Sequence, residues 1–297
     1  MDLNEDGYTD ILSGSYSREG EDMAGLFQVL WGTENGGFRA ATPLCGTDGK
    51  PLISHADATE TEGLEEALME RICTRPFAAD INGDGKTDLI TGNFMGSFLV
   101  FLGGGKGRFQ PLSQPISYAD GTSILVAQHS DPVLVDWDQD GDLDLISGAD
   151  NASVTLFVNE GSATKHSFAE GVELLAGQNF EDVAGKIGDR PGTSARVWVA
   201  DYDGDGKLDL LVGDSVSYSK PKKGIDATEF ARREAAWQKE MASIDEEMTP
   251  FDYESEPTPA QERLMAELGE KMEALYKMRS EFAVDVSTGN VWLLRQK

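Results

Sequence analysis

The sequence predicts an all-β protein assembled from repeated antiparallel sheets, with one α-helical insertion. An acidic motif of thirteen residues occurs four times within the 297 residues, and strand-like segments flank its copies. These segments are short, rich in β-branched and aromatic residues, and bounded by glycine or polar residues, as is typical of strands. Helical periodicity of apolar residues is confined to residues 226–282.

The four copies of the motif, here called loops 1 to 4, share one spacing. They read DLNEDGYTDILSG from Asp2, DINGDGKTDLITG from Asp80, DWDQDGDLDLISG from Asp136 and DYDGDGKLDLLVG from Asp201. Positions 1, 3, 5 and 9 carry aspartate or asparagine in every copy, and position 6 carries glycine. Because four such matches are very improbable by chance, the motif defines a structural repeat.

The spacing fits the coordination of calcium, which takes about six to eight oxygen ligands in a flexible cage. Side chains at positions 1, 3 and 5 point inward together in a tightly coiled loop, and glycine at position 6 permits the turn. Position 7 would offer its backbone carbonyl, and position 9 would close the cage. The predicted ligands of up to four structural calcium ions are Asp2, Asn4, Asp6, Tyr8, Asp10, Asp80, Asn82, Asp84, Lys86, Asp88, Asp136, Asp138, Asp140, Asp142, Asp144, Asp201, Asp203, Asp205, Lys207 and Asp209.

These loops are not EF-hands, because position 12 of loop 2, where an EF-hand has a bidentate glutamate, is Thr91. The predicted ligand carboxylates number three, three, four and four in successive loops, and four calcium ions would offset eight charges of a chain whose net charge is −28. The alternative is four polar turns without metal, in which the clustered carboxylates would repel one another.

Composition excludes several other classes of function. A net charge of −28 argues against binding to nucleic acid or to anionic membranes. No apolar run is long enough to span a bilayer, and the polar segment after Met1 does not look like a signal peptide. Three histidines and no Cys-x-x-Cys pair make zinc or haem sites improbable. Cys45 and Cys73 either pair in an oxidising compartment or are two separate buried thiols.

The flanking segments predict how the sheets are arranged. The apolar stretches PFAA, PVLV and RVWVA precede loops 2, 3 and 4, and DLITG, DLISG and DLLVG end them. A third run follows, such as FLVFL, and then a turn that ends in Phe38, Phe109 or Phe168, which we expect to pack between sheets. Each repeat is therefore a small antiparallel meander, and several such sheets are best arranged radially, as the blades of a β-propeller.

At this level the chain resembles the FG-GAP/VCBS repeats. The resemblance rests on the four acidic loops, on preceding strands such as FAAD, and on the hairpins that end in phenylalanine, and it covers residues 1–220 and 284–297. It implies a calcium-loop β-propeller like those of integrin heads and of many secreted bacterial proteins. We therefore expect an extracellular, periplasmic or cell-surface location. The resemblance says little about function, because such propellers host adhesion, scaffolding and some polysaccharide-cleaving enzymes.

The last repeat is interrupted by the helical segment. Apolar residues recur at helical spacing on both sides of PFDYESEPTP, and Thr258-Pro259-Ala260-Gln261 predicts a capping box with proline at the first helical position. We expect two antiparallel helices of about six turns or fewer. The predicted domains are residues 1–225 (blades 1 to 3 and the start of blade 4), the hairpin 226–282, and the final strand 283–297. The hairpin is either an ornament on the propeller or an arm that docks a partner.

The first repeat lacks a strand before its loop, since Met1 stands where the other repeats have a strand residue. The expectation is an incomplete ring, with either an N-terminally truncated chain or a first calcium site that is poorly held.

The leading functional hypothesis is a non-catalytic, calcium-stabilised module that binds a protein or a glycan. The alternative is a polysaccharide lyase or hydrolase on the same scaffold, although the spacing of His55, His129, Tyr118 and Arg196 gives it no support and no catalytic residue is predicted. Among aromatic residues, Trp198 and Trp292 sit within strand patterns and are expected to pack internally. Trp137 and Tyr202 are the best candidates for a binding surface, although packing is favoured there as well.

Overall fold

The computed structural model describes residues 1–18, 23–54, 68–178, 189–249 and 257–296, and it shows a mostly β protein with two long helices. Every strand pair within its sheets is antiparallel. The described residues form two compact units. The first unit contains residues up to 178 together with 189–215 and 289–296, and the second contains 216–249 and 257–288. The domain boundaries at 225/226 and 282/283 stay predictions.

Within its described residues, the first unit contains four sheets, one for each acidic loop. Sheet 1 consists of β1 (Ile11–Gly14), β2 (Phe27–Leu30) and β3 (Thr42–Pro43). Sheet 2 consists of β4 (Arg75–Ala79), β5 (Asp88–Gly92), β6 (Phe98–Phe101) and β9 (Gln114–Pro115), with a ribbon of β7 (Gly103–Gly105) and β8 (Arg108–Phe109) after β6.

Sheets 3 and 4 repeat this plan. Sheet 3 consists of β10 (Asp131–Val135), β11 (Asp144–Gly148), β12 (Val154–Phe157) and β13 (Val172–Leu175). Sheet 4 consists of β14 (Thr193–Ala200), the first half of β15 (Asp209–Pro221) and β17 (Val291–Leu294). Loops 2, 3 and 4 each join the first strand of a sheet to the second, which confirms that the motif links two antiparallel strands rather than two helices.

Apolar clusters fill the spaces between consecutive sheets, because each sheet carries apolar residues on both faces. Between sheets 1 and 2, Phe27 and Val29 pack with Leu89 and Phe101. Two further clusters of the same kind lie between sheets 2 and 3 and between sheets 3 and 4. Burying each of these side chains stabilises the fold by about 2 kcal/mol. The core of the first unit is thus a series of sheet-on-sheet layers.

The turns after the third strand-like run of each repeat agree with the prediction only in part. Phe109 and Phe168 are 1% and 4% exposed and pack between sheets, as predicted. Phe38 is 47% exposed, so the prediction that it packs between sheets is wrong. The Sγ atoms of Cys45 and Cys73 are free thiols, and only Cys73 is fully buried. His55 lies outside the described residues.

The second unit contains the second half of β15, β16 (Ala283–Thr288) and the helices α1 (Ala227–Met248) and α2 (Pro259–Arg279). Asp226 caps α1, and α2 begins with the predicted capping box, in which Thr258 and Gln261 bond reciprocally with proline at the first helical turn. The two helices pack together through residues of their predicted apolar faces, including Ile244, Leu268 and the nearby Phe282, all of which are buried.

The second unit also holds a buried guanidinium that the sequence pattern does not reveal. Arg279 is 8% exposed and donates hydrogen bonds to Glu234, Asp285 and Ser219. Its guanidinium carbon lies 4.5 Å from the centre of the Trp237 ring, a cation–π contact. These carboxylates and bonds raise the pKa of Arg279 above its usual range, so the charge persists and fixes α1, α2 and β16 together within this unit.

Candidate metal centres

The aspartate at position 9 anchors every loop to its own sheet. Its four representatives are 0–4% exposed. One carboxylate oxygen accepts a hydrogen bond from the backbone N–H of position 2, at 2.8 Å in loop 1, 3.1 Å in loop 2, 2.9 Å in loop 3 and 3.2 Å in loop 4. The other oxygen accepts a backbone N–H two residues beyond the strand that pairs with the one after the loop, which is β2, β6, β12 and β17 in loops 1 to 4. The anchoring residues are Asp10, Asp88, Asp144 and Asp209, and their distal donors are Gly32, Gly103, Asn159 and Gln296.

The other acidic positions shape the loop backbone. In all four loops the carboxylate at position 1 accepts the N–H of the glycine at position 6, at 2.8–3.2 Å. The carboxylate at position 5 accepts the N–H of position 7, at 2.9–3.1 Å. These bonds turn the chain back on itself and gather the side chains of positions 1 and 3 beside the buried carboxylate of position 9.

The backbone is left-handed at two positions of each loop rather than one. Position 6 is glycine throughout, with φ between 81° and 100°. Position 4 also has positive φ, and there the residue varies. It is Glu5 at 61°, Gly83 at 69°, Gln139 at 63° and Gly204 at 77°. Sequence reasoning recognised only position 6, because glutamate and glutamine gave no sign of a left-handed conformation in loops 1 and 3.

Loops 3 and 4 bring three carboxylates together. Oxygens of positions 1, 3 and 9 all lie within 4.8 Å of one another in each loop. The two groups are Asp136, Asp138 and Asp144 in loop 3, and Asp201, Asp203 and Asp209 in loop 4. The position-5 residues Asp140 and Asp205 are not part of these groups. A gap of this size between oxygens is suited to a cation that bonds to each of them at about 2.4 Å.

Loop 3 also contains buried carboxylate oxygens that have no hydrogen-bond partner. These are Asp136 Oδ1 and Asp142 Oδ1. Burial and the neighbouring Asp140 and Asp144 raise the pKa of Asp142, and burial raises the pKa of Asp144 despite its backbone hydrogen bonds. An unpartnered buried carboxylate oxygen is unfavourable unless a proton or a cation meets it. The donor set of loop 3 therefore fits a hard divalent cation.

Loops 1 and 2 have the same frame, meaning the same hydrogen bonds between the carboxylates of positions 1, 5 and 9 and backbone N–H groups, but fewer carboxylates. Position 3 is Asn4 or Asn82, whose side-chain oxygen accepts the N–H of position 5. In loop 2, Lys86 Nζ lies 3.4 Å from the position-5 carboxylate of Asp84. Loop 4 also has a nearby cation, since Arg295 lies 3.3 Å from Asp203. The loops therefore differ in how much negative charge they leave without a positive partner.

Neighbouring repeats contact one another at these loops. Gln139 of loop 3 donates to the carbonyl of Gly206 in loop 4 at 3.0 Å. The N–H of Lys106, in the hairpin of repeat 2, lies 3.3 Å from the carboxylate of Glu5 in loop 1. A Cβ at Gly83 in loop 2 would lie 2.8 Å from Thr164 in the hairpin of repeat 3. Each of these contacts therefore links a loop to a neighbouring repeat.

Among the residues considered for catalysis, the three that the structure describes, His129, Tyr118 and Arg196, do not form one site. Arg75 contacts the backbone oxygen and Nδ1 of His129, whose ring packs edge-on against Phe94. Arg196 is exposed on β14. Tyr118 instead lines a cavity of about 480 Å³ between residues 117–119 and 161–167, together with Lys165 and His166. Trp198 is 59% exposed and Tyr202 is 62% exposed, so the expectation of packing is wrong for both residues.

Comparison with known families agrees with the repeat structure. The model of the FG-GAP-like repeat matches residues 80–147 and 136–212, which together contain loops 2 and 3 and all but the last residue of loop 4. The chain therefore contains FG-GAP-like repeats, and the resemblance to the FG-GAP/VCBS repeat family is confirmed. A comparison with curated proteins gave no significant match. Among the helices that the structure describes, none combines the length and the apolar character needed to cross a membrane.

Proposed function

We propose that the chain is a non-catalytic binding or scaffold module whose repeat sheets are arranged as β-propeller blades and stabilised by calcium. FG-GAP-like repeats indicate a repeat-containing binding or scaffold module. The observation that carries the calcium part is Asp136, whose Oδ1 is buried and unpartnered and whose carboxylate belongs to a group of three with oxygens within 4.8 Å of one another. Such a group is stable when a hard cation takes the place of its missing partners.

Bound calcium would supply positive charge and a cross-link between positions of one loop. In loop 3, Asp136 and Asp138 would bind the ion through carboxylate oxygens. Asp144 would hold the ion close to the sheet, because backbone N–H groups from both ends of the repeat already fix its carboxylate. The residues at positions 5 and 7 complete the proposed ligand sets of all four loops, with position 7 using its backbone carbonyl.

This role favours a location outside the cytoplasm. FG-GAP repeats are typical of extracellular proteins, and calcium is abundant there. We therefore infer an extracellular, periplasmic or cell-surface module that binds a protein or glycan. The helical hairpin of residues 226–282 is a candidate for partner docking, because its helices carry exposed Leu264, Tyr276 and Met278.

Metal content and thermal melting of the purified chain test the calcium proposal. After dialysis against calcium and removal of free ions, we expect two or more tightly bound calcium ions, since loops 3 and 4 hold the most gathered charge. A chelator should lower the melting temperature by more than about 10 °C, because ligand binding adds its free energy to that of folding. Magnesium should restore little of the loss. A chain that binds no calcium, and whose melting temperature is the same with and without chelator, would contradict the proposal.

One observation favours a second candidate, an enzyme that acts on polysaccharides. Tyr118, Lys165 and His166 converge on the 480 Å³ cavity, whose other lining residues include three serines. Burial lowers the pKa of His166 and raises that of Tyr118, so at neutral pH the imidazole is uncharged and the phenol protonated. A neutral imidazole is able to abstract a proton beside an acidic sugar, and the phenol is able to donate one.

This candidate is tested by incubating the calcium-loaded chain with polygalacturonate and alginate and recording ultraviolet absorbance of unsaturated products. The enzyme hypothesis predicts a steady rise in absorbance that His166→Ala abolishes and that Lys50→Ala, at an exposed lysine of another cavity, leaves unchanged. No activity on either polymer, or activity that survives His166→Ala, would count against it.

A further inference from the structure

The three contacts between consecutive sheets inside the first unit follow one rule. Each sheet uses one face to cover the preceding sheet and the other face to cover the following sheet. For example, Leu89 of sheet 2 packs toward sheet 1, whereas Ile90, the next residue, packs toward sheet 3. Because the four repeats share one register relative to their loops, equivalent residues are identified by position, and their exposure can be compared from sheet to sheet.

The face of sheet 4 that points away from sheet 3 breaks this rule. Val291 is 73% exposed, whereas its equivalents Phe98 and Val154 are both 0% exposed. Leu293 is 37% exposed, whereas its equivalents Val100 and Leu156 are 5% and 6% exposed.

Trp198 on β14 extends the same exposed face. It is 59% exposed, whereas its equivalent Val133 is 5% exposed and packs against the following sheet. The strand register places Trp198 beside Leu211, and Leu211 beside Leu293, so the three side chains form one row across the sheet. The indole contacts Phe77 of β4 in sheet 2 at 6.4 Å between ring centres, and most of the Trp198 side chain stays accessible.

Sheet 1 is also exposed, but on its other face, the one that in sheets 2 to 4 covers the preceding sheet. Ile11 is 44% exposed, whereas its equivalents Leu89, Leu145 and Leu210 are 0–5% exposed against a preceding sheet. Leu30, which pairs with Ile11 across the strands, is only half-buried, whereas its equivalent Phe101 is fully buried. Sheet 4 therefore leaves accessible the apolar face that in other repeats covers a following sheet. Sheet 1 leaves accessible the apolar face that in other repeats covers a preceding sheet.

We propose that the face of sheet 4 formed by Trp198, Leu211, Val291 and Leu293 docks onto the face of sheet 1 formed by Ile11 and Leu30 of a second copy of this chain. The contact would continue the sheet-on-sheet packing already made three times inside the first unit. The two faces are different, so the association is heterologous, or head-to-tail, rather than isologous, in which the same face of both copies would meet. A large exposed tryptophan among aliphatic residues is typical of an interface centre. This inference rests on the repeat geometry and not on calcium binding.

Analytical ultracentrifugation of the full chain in calcium tests the proposal. The expected result is a mass that rises with concentration from that of the 32.2 kDa chain to at least twice that value. Leu293→Lys and Ile11→Lys should each weaken self-association at least tenfold, because each places a charge in the apolar contact. Leu125→Lys, at a residue that is 59% exposed away from both faces, is the matched control and should associate like the original chain.

Mixing the variants separates head-to-tail docking from other modes. Ile11→Lys retains the intact face of sheet 4, and Leu293→Lys retains the intact face of sheet 1. Their mixture should therefore form a complex through one undamaged contact, although neither variant associates alone. If Leu293→Lys disrupts association and Ile11→Lys does not, the sheet 4 faces pair with each other and the proposal is wrong. A chain that stays monomeric at all concentrations overturns it, and calcium content measured on the same samples shows whether the calcium proposal fails separately.

Discussion

Loops 2 and 3 share a backbone but differ in their electrostatics. In both, position 9 accepts N–H groups from two distant points, and position 1 accepts the N–H of the glycine at position 6. Loop 2 has asparagine at position 3 and a lysine beside its position-5 carboxylate. Loop 3 has aspartate at position 3, another at position 7, and two buried carboxylate oxygens without partners.

The difference shows that the loop fold and the demand for a cation have separate causes. The fold follows from hydrogen bonds to backbone N–H groups, which asparagine at position 3 supports as well as aspartate does. The demand for a cation follows from the charge that those hydrogen bonds leave uncompensated. Substitutions at the shared positions should therefore affect both loops alike, whereas substitutions at position 3 should affect them in opposite directions.

The largest expected effect tests the shared frame. Asp144→Ala in loop 3 and Asp88→Ala in loop 2 each remove a buried carboxylate and leave two backbone N–H groups without partners. Each should lower the free energy of unfolding by about 4 kcal/mol, measured by urea denaturation in chelator. Asp84→Ala, at the exposed position 5 of loop 2, is the control and should lower it by about 1 kcal/mol. A large effect in one loop only would show that the frame is not shared.

A second prediction concerns the pH dependence of stability at Asp131, which lies at the end of the β10–β11 strand pair opposite loop 3. Burial raises the pKa of Asp131 from 3.8 to about 6, against the opposing effect of Arg75. The folded chain therefore binds a proton here that the unfolded chain releases, so stability falls as pH rises from about 4 to about 6. Asp131→Asn should remove a fall of about 2 kcal/mol. The measurement is urea denaturation across this pH range in chelator, and an unchanged slope in the variant would contradict the assignment.

A third prediction compares two glycines at position 4. Both Gly83 and Gly204 have positive φ, but only Gly83 touches a neighbouring repeat. An added Cβ at Gly83 would lie 2.8 Å from Thr164 and 3.0 Å from the carbonyl oxygen of Ala163. Gly83→Ala should therefore lower the free energy of unfolding by about 2 kcal/mol, and Gly204→Ala by about 1 kcal/mol. If the two variants lose equal free energy of unfolding in thermal or urea denaturation, the contact between repeats does not contribute to stability.

The smallest expected effect is the most specific for the comparison. Asn82→Asp should lower the metal-free stability by about 1 kcal/mol and strengthen calcium binding by loop 2, because it adds a fourth ligand carboxylate. Asp138→Asn should do the reverse in loop 3. Both changes keep the side-chain oxygen that accepts the N–H of position 5. Calcium titration by calorimetry, together with urea denaturation in chelator, measures both quantities, and shifts of the same sign in the two loops would refute the electrostatic account.

The sequence predicted the elements whose causes are local. The strands around loops 2 to 4 follow from apolar runs of strand length, and the start of α2 follows from the Thr258–Gln261 capping box. The spacing of the loops predicted that the side chains of positions 1, 3, 5 and 9 gather, and in loops 3 and 4 the carboxylates of positions 1, 3 and 9 lie together without that of position 5. Each of these features depends on residues that lie close together along the chain.

Features that depend on distant neighbours could not be predicted in this way. The exposure of Trp198 depends on whether another sheet covers its face, and a strand pattern does not contain that information. The second hydrogen bond of Asp144 comes from Asn159, fifteen residues away. The burial of Arg279 depends on Glu234, which lies on the other helix. In each case, tertiary packing rather than local preference decides the environment of the side chain.

The most direct test of the central claim, that loop 3 holds calcium, is terbium luminescence excited through tryptophan. Trp137 occupies position 2 of loop 3, and its backbone N–H bonds to the ligand Asp144. We expect saturable terbium emission that excess calcium displaces and that both Trp137→Phe and Asp138→Asn strongly reduce. Absence of saturable emission, or emission that Asp138→Asn leaves unchanged, would contradict the account and leave loop 3 as a polar turn.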